Sequence, residues 1–148
     1  MSNEVLLETL RKGRERIARG RCKWRFAIDI TEKSVDPDSE RAVRWCARGA
    51  VGSDFIRHGL NTEAEAALVL ALPAEWVAQA WRARTYKTPL DGSLVADYNN
   101  THTQADVLAL FDRAIASLTR RTDAELVAEC VQRAEQAVEA RVPEAVYA

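Results

Sequence analysis

The chain has 148 residues, 47% of them hydrophobic and 29% charged, with a formal net charge of -1. That balance excludes an intrinsically disordered chain and fits one domain, 1–148, whose core needs no staples. Three widely spaced cysteines, Cys22, Cys46 and Cys130, argue against a disulfide framework, and the longest apolar run, 66–74, is about half of what a bilayer crossing requires. Residues 1–4 lead straight into a charged helical pattern with no signal-peptide pattern, so the expectation is a cytoplasmic protein with reduced thiols and no membrane contact.

Helix one is predicted over 4–19, with Val5, Leu6, Leu10 and Ile17 near one side, Gly13 a tolerated flaw and Gly20 a C-cap. From 22 to 35 the period changes to two. Trp24, Phe26, Ile28 and Ile30 alternate with Lys23, Arg25, Ala27 and Asp29, and Val35 begins a short return strand after a turn at 31–34. Asp36-Pro37-Asp38-Ser39 breaks the chain, and Asp38 or Ser39 then caps a second helix over 40–57. That helix would turn Ala42, Trp45, Cys46, Ala50 and Val51 inward and line Arg41, Arg44 and Arg48 along an outer strip. Gly49 and Gly52 either admit another backbone or mark a break before Phe55 and Ile56.

Residues 58–61, including His58, read as a connector. Thr62 with Glu65 matches a capping box, so a third helix covers 63–71, and Pro73 opens a further one over 73–84. Residues 85–101 read as one long irregular loop. Thr103 with Asp106 then starts a helix striped by Val107, Leu108, Phe111, Ala114, Ile115 and Leu118. Thr122 with Glu125 caps a last helix over 122–141, with Leu126, Cys130, Val131, Ala134 and Val138 inward. The fold class is therefore mainly α, a compact array of five to six helices with a short β-ribbon near residues 24–35. Its core should be built on Trp45, Cys46, Leu68, Phe111 and Ile115, with at least one of Trp76 and Trp81 buried.

Three sets of residues carry chemistry. Cys22 sits between Arg21 and Lys23, which would lower its thiol pKa, but no cysteine pair has zinc-knuckle spacing, so no metal, cofactor or catalytic residue is assigned. Asp97, Tyr98, Asn99, Asn100, His102 and Thr103 form the densest polar cluster, suited either to ligand binding or to turn and cap chemistry. The third set is basic. Residues 11–25 carry eight Lys or Arg against Glu15 alone, and 1–60 carry thirteen basic against nine acidic residues, whereas 61–148 carry eight against thirteen. Arg11, Arg14, Arg21, Lys23, Trp24, Arg25, Arg41, Arg44 and Arg48 are the interaction candidates, an aromatic among cations. No phosphate loop, nucleophile elbow, His-Glu-x-x-His or EF-hand pattern occurs.

The opening helix with Leu10, Arg11 and Ala18, then Trp24, Ala27 and Asp29, the segment 42–50, Tyr98-Asn99-Asn100 and the segment 103–115 together resemble a known family. It consists of small bacterial and phage-associated proteins of unknown function that share a Trp-Cys-x-x-Gly-Ala segment and a Trp-Asn-Asp segment. The first is matched at Trp45, Cys46, Gly49 and Ala50; in the second, Tyr98 and Asn100 replace Trp and Asp, which removes a carboxylate. The resemblance spans about 4–118, leaves the last helix as an addition, and implies a helical fold but no mechanism. The reading is a non-catalytic accessory or regulatory protein acting through a protein-interaction surface, as a homodimer or with a protein partner. One alternative is a small-molecule binder or enzyme using 97–102, which requires a pocket joining Asp97, Asn99 and His102 to Trp45 or Cys22. The other is a nucleic-acid-contacting protein, which requires helices one and two to form one positive face.

Overall fold

The structure, a computed structural model, describes residues 2–53, 62–120 and 123–147. These form α1 (Asn3–Arg19), β1 (Ala27–Ile28), β2 (Arg44–Trp45), α2 (Ala47–Ala50), α3 (Glu63–Ala71), α4 (Ala74–Ala83), α5 (Ser93–Thr101), α6 (Gln104–Arg120) and α7 (Asp123–Tyr147). The architecture is mainly helical with one small antiparallel sheet, as the periodicities predict. Among the described residues no helix is long and apolar enough to cross a membrane.

Local chemistry explains most helix ends. The Ser2 hydroxyl accepts from the Val5 amide at the start of α1, and the Gly20 amide closes it on Arg16 O. Thr62 and Glu65 form the reciprocal box on α3, and Thr103 and Asp106 exchange the same pair of bonds ahead of α6. The chain turns at Leu72-Pro73 into α4. Expected features at His58, Phe55, Ile56 and Thr122 lie outside the described residues.

The core forms where α1 packs on α6, with α3 against α6 and α7 against α3 and α4. Leu10, Ile17, Leu68, Leu110 and Phe111 are fully buried in it, Trp45 and Trp81 nearly so, while Ile115 and Trp76 pack on its margin. Gly13 is no flaw. A Cβ there would lie 2.7 Å from Phe111 Cε1, so the missing side chain sets how closely α1 approaches α6. Val5, expected inward, is exposed.

Four expectations are corrected. The helix over 40–57 does not form across 40–46; the chain there is turn and strand, and α2 is a single turn. Tertiary pairing overrides the helical period, because Val43 N donates to Ile28 O, Cys46 N to Phe26 O, and Trp45 exchanges bonds with Gly20 O and Cys22 N. Consequently Arg41, Arg44 and Arg48 share no helical strip. The strand paired with β1 is 44–45, with Ala27 opposite Trp45 and Ile28 opposite Arg44; the return expected at Val35 is reduced to the Val35 amide donating to Ala27 O and one isolated bridge, Ile28 to Ser34. Both faces of β1 are covered, so Ala27, Ile28 and Asp29 are buried while Trp24 and Ile30 stand in solvent, and simple alternation fails.

The loop over 85–101 contains α5. Asp91 Oδ1 accepts from the Ser93 amide and opens it, and Leu94, Val95 and Tyr98 give it a buried face that the polar string 97–102 concealed. On α7, Leu126 packs on the core as expected, but Ala137, outside the expected inner face, is the residue buried in it, and Val131 is exposed.

Candidate functional site

The polar cluster and the basic cluster, separate in sequence, meet in space. Past α1 the chain runs beside Trp45, with the Cys22 amide donating to Trp45 O, and then folds back so that the Cys22 thiol reaches Arg25 O at 3.3 Å. This tight turn forces Trp24 into the left-handed region, φ 67°, which costs a non-glycine residue about 1 kcal/mol or more. The turn is held from below by α5. Asn99 is fully buried; its Oδ1 accepts from Ala47 N at 3.1 Å, and its Nδ2 donates to Cys22 O at 3.0 Å. Asn100 Oδ1 accepts from the Trp24 amide at 3.0 Å, and Arg21 Nη1 donates to Asn99 O.

Held this way, Arg21, Lys23, Arg25 and Arg44 surround a surface groove of about 390 Å³, with the buried Cys22 and Ile28 in its lining and Glu32 as its one acid. Arg25 leans over the 29–33 turn to donate to Glu32 O. Trp24 stands 78% exposed beside the groove, and Phe26, Ile30 and Val43 are also exposed on this part of the molecule. Of the predicted interaction set, the structure therefore gathers Arg21, Lys23, Trp24, Arg25 and Arg44.

The remaining members are placed elsewhere. Arg14 pairs with Asp112 on α6 at 2.5 Å, Arg41 with Asp29 at 3.3 Å, and Arg48 with the fully buried Glu65 at 2.6 Å. Arg11 is exposed on α1 outside the groove. Among the described residues, helices one and two do not form the single positive face required by the nucleic-acid reading, since α2 is one turn and Arg48 is turned inward onto Glu65.

Asp97 and His102 line a different groove, of about 420 Å³, together with Trp76, Ala80, Tyr86 and Thr101. The Asp97 carboxylate already accepts from Arg84 at 2.8 Å and from the Tyr86 hydroxyl at 2.7 Å. The His102 ring stacks on Tyr98 at 3.8 Å between centroids and meets the Trp76 edge, with Nδ1 3.0 Å from Tyr98 O. Thr103 is spent on its cap. The two grooves share no residue: Cys22 lines the first, Asp97 and His102 line the second, and Asn99 and Trp45 line neither.

The thiols are poised against nucleophilic use. Burial pushes the Cys46 thiol up to about 12, and it accepts from the Gly49 amide as the N-cap of α2. Cys22 is also raised by burial, which outweighs the pull of Arg25, Arg21 and Arg44. The lowered Cys22 pKa expected from its basic neighbours is thus corrected; desolvation wins. Among the described residues no three His, Cys, Asp or Glu side chains converge as metal ligands would.

Sequence reasoning missed Glu32 in the cationic groove and the exposed Val43 on the strand segment beside it. Glu32 carried a signal, since a tight 31–34 turn returns it towards Arg25, but Val43 was assigned to a helix that does not form. Tyr86 was hidden in a segment read as loop, and Arg84 stood at the end of the helix predicted over 73–84.

A search of curated proteins and a search of solved structures each returned no match. A family model does match, over residues 1–117, and its family is described as one of unknown function, DUF6197. The matched span carries the turn at 21–25, its β2 partner and the α5 clamp, and the chain belongs to that family.

Proposed function

We propose that the protein is a non-catalytic accessory or regulatory module that docks an acidic segment of a partner protein on the face formed by Arg21, Lys23, Arg25 and Arg44. A single observation carries the reading. The fold holds Trp24 in a left-handed conformation, its amide donating to the Oδ1 of Asn100, and the result is an aromatic ring in solvent beside a groove lined by four cations. Burying that ring would be favourable by a few kcal/mol, about 2 on area grounds, so a partner that covers it gains both apolar area and charge pairing. In this proposal the 148 residues act as one unit in a cytoplasmic setting, and a bacterial or phage-associated origin is what the family resemblance implies.

The test is fluorescence anisotropy of the full chain with a labelled Glu- and Asp-rich peptide and, in parallel, a DNA duplex of mixed sequence. Peptide binding should weaken about tenfold in Trp24→Ala and be lost in Lys23→Glu/Arg44→Glu, with circular dichroism unchanged because all three side chains are exposed. Duplex binding tighter than peptide binding, with a steep salt dependence, would transfer the function to nucleic acid. Failure to bind either probe sinks the acidic-partner reading.

A further inference from the structure

Helix α7 carries an inward face and, beside it, an outward apolar stripe. Leu126, Cys130, Arg133 and Ala137 are spaced four, three and four apart and face the body of the protein, where Arg133 Nη1 donates to Leu70 O at 2.7 Å and Leu72 O at 3.0 Å. One residue further on, Val127, Val131, Ala134 and Val138 repeat the same spacing on the outer side, with Val127 62% and Val131 51% exposed. A stripe of this period is the narrow seam on which one helix receives another.

Beside the outer stripe the segment 88–90 forms an opposite wall. Between them runs a groove of about 570 Å³ lined by Pro89, Leu90, Val131, Ala134 and Val138, with Glu135 and Glu139 at its edge. Past Pro89, Leu90 and Ala134 it continues into a narrower space of about 160 Å³ between α4 and α7, walled by Val69, Val77 and Ala137. An apolar cavity of about 150 Å³ accommodates a benzene ring, so this end takes one apolar side chain. The groove thus has the anatomy of helix-in-groove recognition, a shallow seam with a deeper anchor pocket.

Charge decides the occupant. From 124 to 140 the chain has four acids, Glu125, Glu129, Glu135 and Glu139, against Arg133 alone. Arg133 is turned onto the Leu70 and Leu72 carbonyls and towards Glu129, while Glu135 and Glu139 remain exposed. A second copy of α7 laid in the groove would set acidic edge against acidic edge, and α1, the basic helix of the chain, already has its apolar face on α6.

We infer that the α7 groove receives a cationic amphipathic helix of a different protein, with an apolar residue at every third and fourth position and Lys or Arg flanking them. The site is independent of the Trp24 face, so Trp24→Ala leaves it unchanged.

The experiment is an NMR titration of the full-length, isotopically labelled protein. The probe is a Leu/Lys amphipathic peptide of about five helical turns, compared with its counterpart bearing Glu at every Lys position. Shifts should centre on Leu90, Val131, Ala134 and Val138, with the Leu/Glu peptide at least about tenfold weaker. Glu135→Lys/Glu139→Lys, at two exposed positions, should reverse that preference, and Val131→Glu should weaken the Leu/Lys peptide about tenfold. Equal affinity for both peptides, or shifts centred away from the groove, would overturn the inference. So would a wild-type dimer in sedimentation that Val131→Glu dissociates, because the occupant would then be a second copy.

Discussion

Asn99 shows how a candidate ligand residue becomes a structural one. Its amide satisfies the buried Ala47 N–H and the Cys22 carbonyl, and the next side chain holds Trp24 N–H, so the cationic turn exists because α5 clamps it. Each buried polar group left unpaired costs about 1–3 kcal/mol. Asn99→Ala is therefore expected to lower stability by roughly 2–4 kcal/mol, read as a shift of the urea midpoint, and to weaken anionic-peptide binding even where the protein stays folded. Asn100→Ala, which frees the Trp24 amide and removes a 3.3 Å bond from Asn99 Nδ2, leaves the Asn99 bonds to Ala47 and Cys22 in place and should cost less stability while still loosening the turn. The polar cluster was legible in the sequence as polar and local. That its role is to brace residues more than seventy positions away was not legible, because a hydrogen bond between distant segments leaves no periodic trace.

At the scale of elements, the sheet and α2 are a contest between local propensity and long-range pairing. The segment 40–57 has a helical apolar period, yet its 43–46 backbone finds partners at Gly20, Phe26 and Ile28 instead. What permits this is Gly49. A Cβ there would lie 2.0 Å from Phe26 O, so β1 and α2 can touch only across a glycine. Gly49→Ala is expected to destabilise the protein by about 3 kcal/mol or more, well beyond the fraction of a kcal/mol that alanine gains in an open helix. A stability equal to or above wild type in thermal melts would show that the contact relaxes freely. The glycine was conspicuous in the sequence, and close backbone approach was one of its two readings; the identity of the approaching strand was not contained in it.

For the whole molecule, the buried and capped acids set the response to pH. Asp29 is held below the usual carboxylate range by the Thr31 hydroxyl and the Lys33 amide, and Asp106 by the amide and hydroxyl of Thr103. A carboxyl lowered in the fold stabilises it above its unfolded pKa of about 3.9, and that contribution is lost as pH falls through the folded value. Glu65 is opposite in sign. Burial raises it despite Arg48, so its contribution is full below about pH 4.3 and fades as pH rises through the raised value. Urea midpoints should thus rise slightly on mild acidification from pH 7 and then fall below about pH 4. Glu65→Gln should remove the rise, and Asp106→Asn should flatten the acid limb. An acid limb unchanged in Asp106→Asn would mean that the Thr103 cap contributes nothing to folding free energy.

The sequence by itself determined the elements whose signals are local: the stripes of α1 and α6, the capping boxes at Thr62 and Thr103, the stop at Pro73 and the mainly helical class. Caps and periodic stripes act within a turn or two, so a linear reading captures them. Tertiary structure alone decided that β1 pairs with 44–45, that α5 replaces a loop, that Arg14, Arg41 and Arg48 are withdrawn into ion pairs, and that the outer stripe of α7 faces a groove. Each of these depends on which distant backbone or charge arrives opposite a residue, and that competition is settled by burial and pairing across the whole fold.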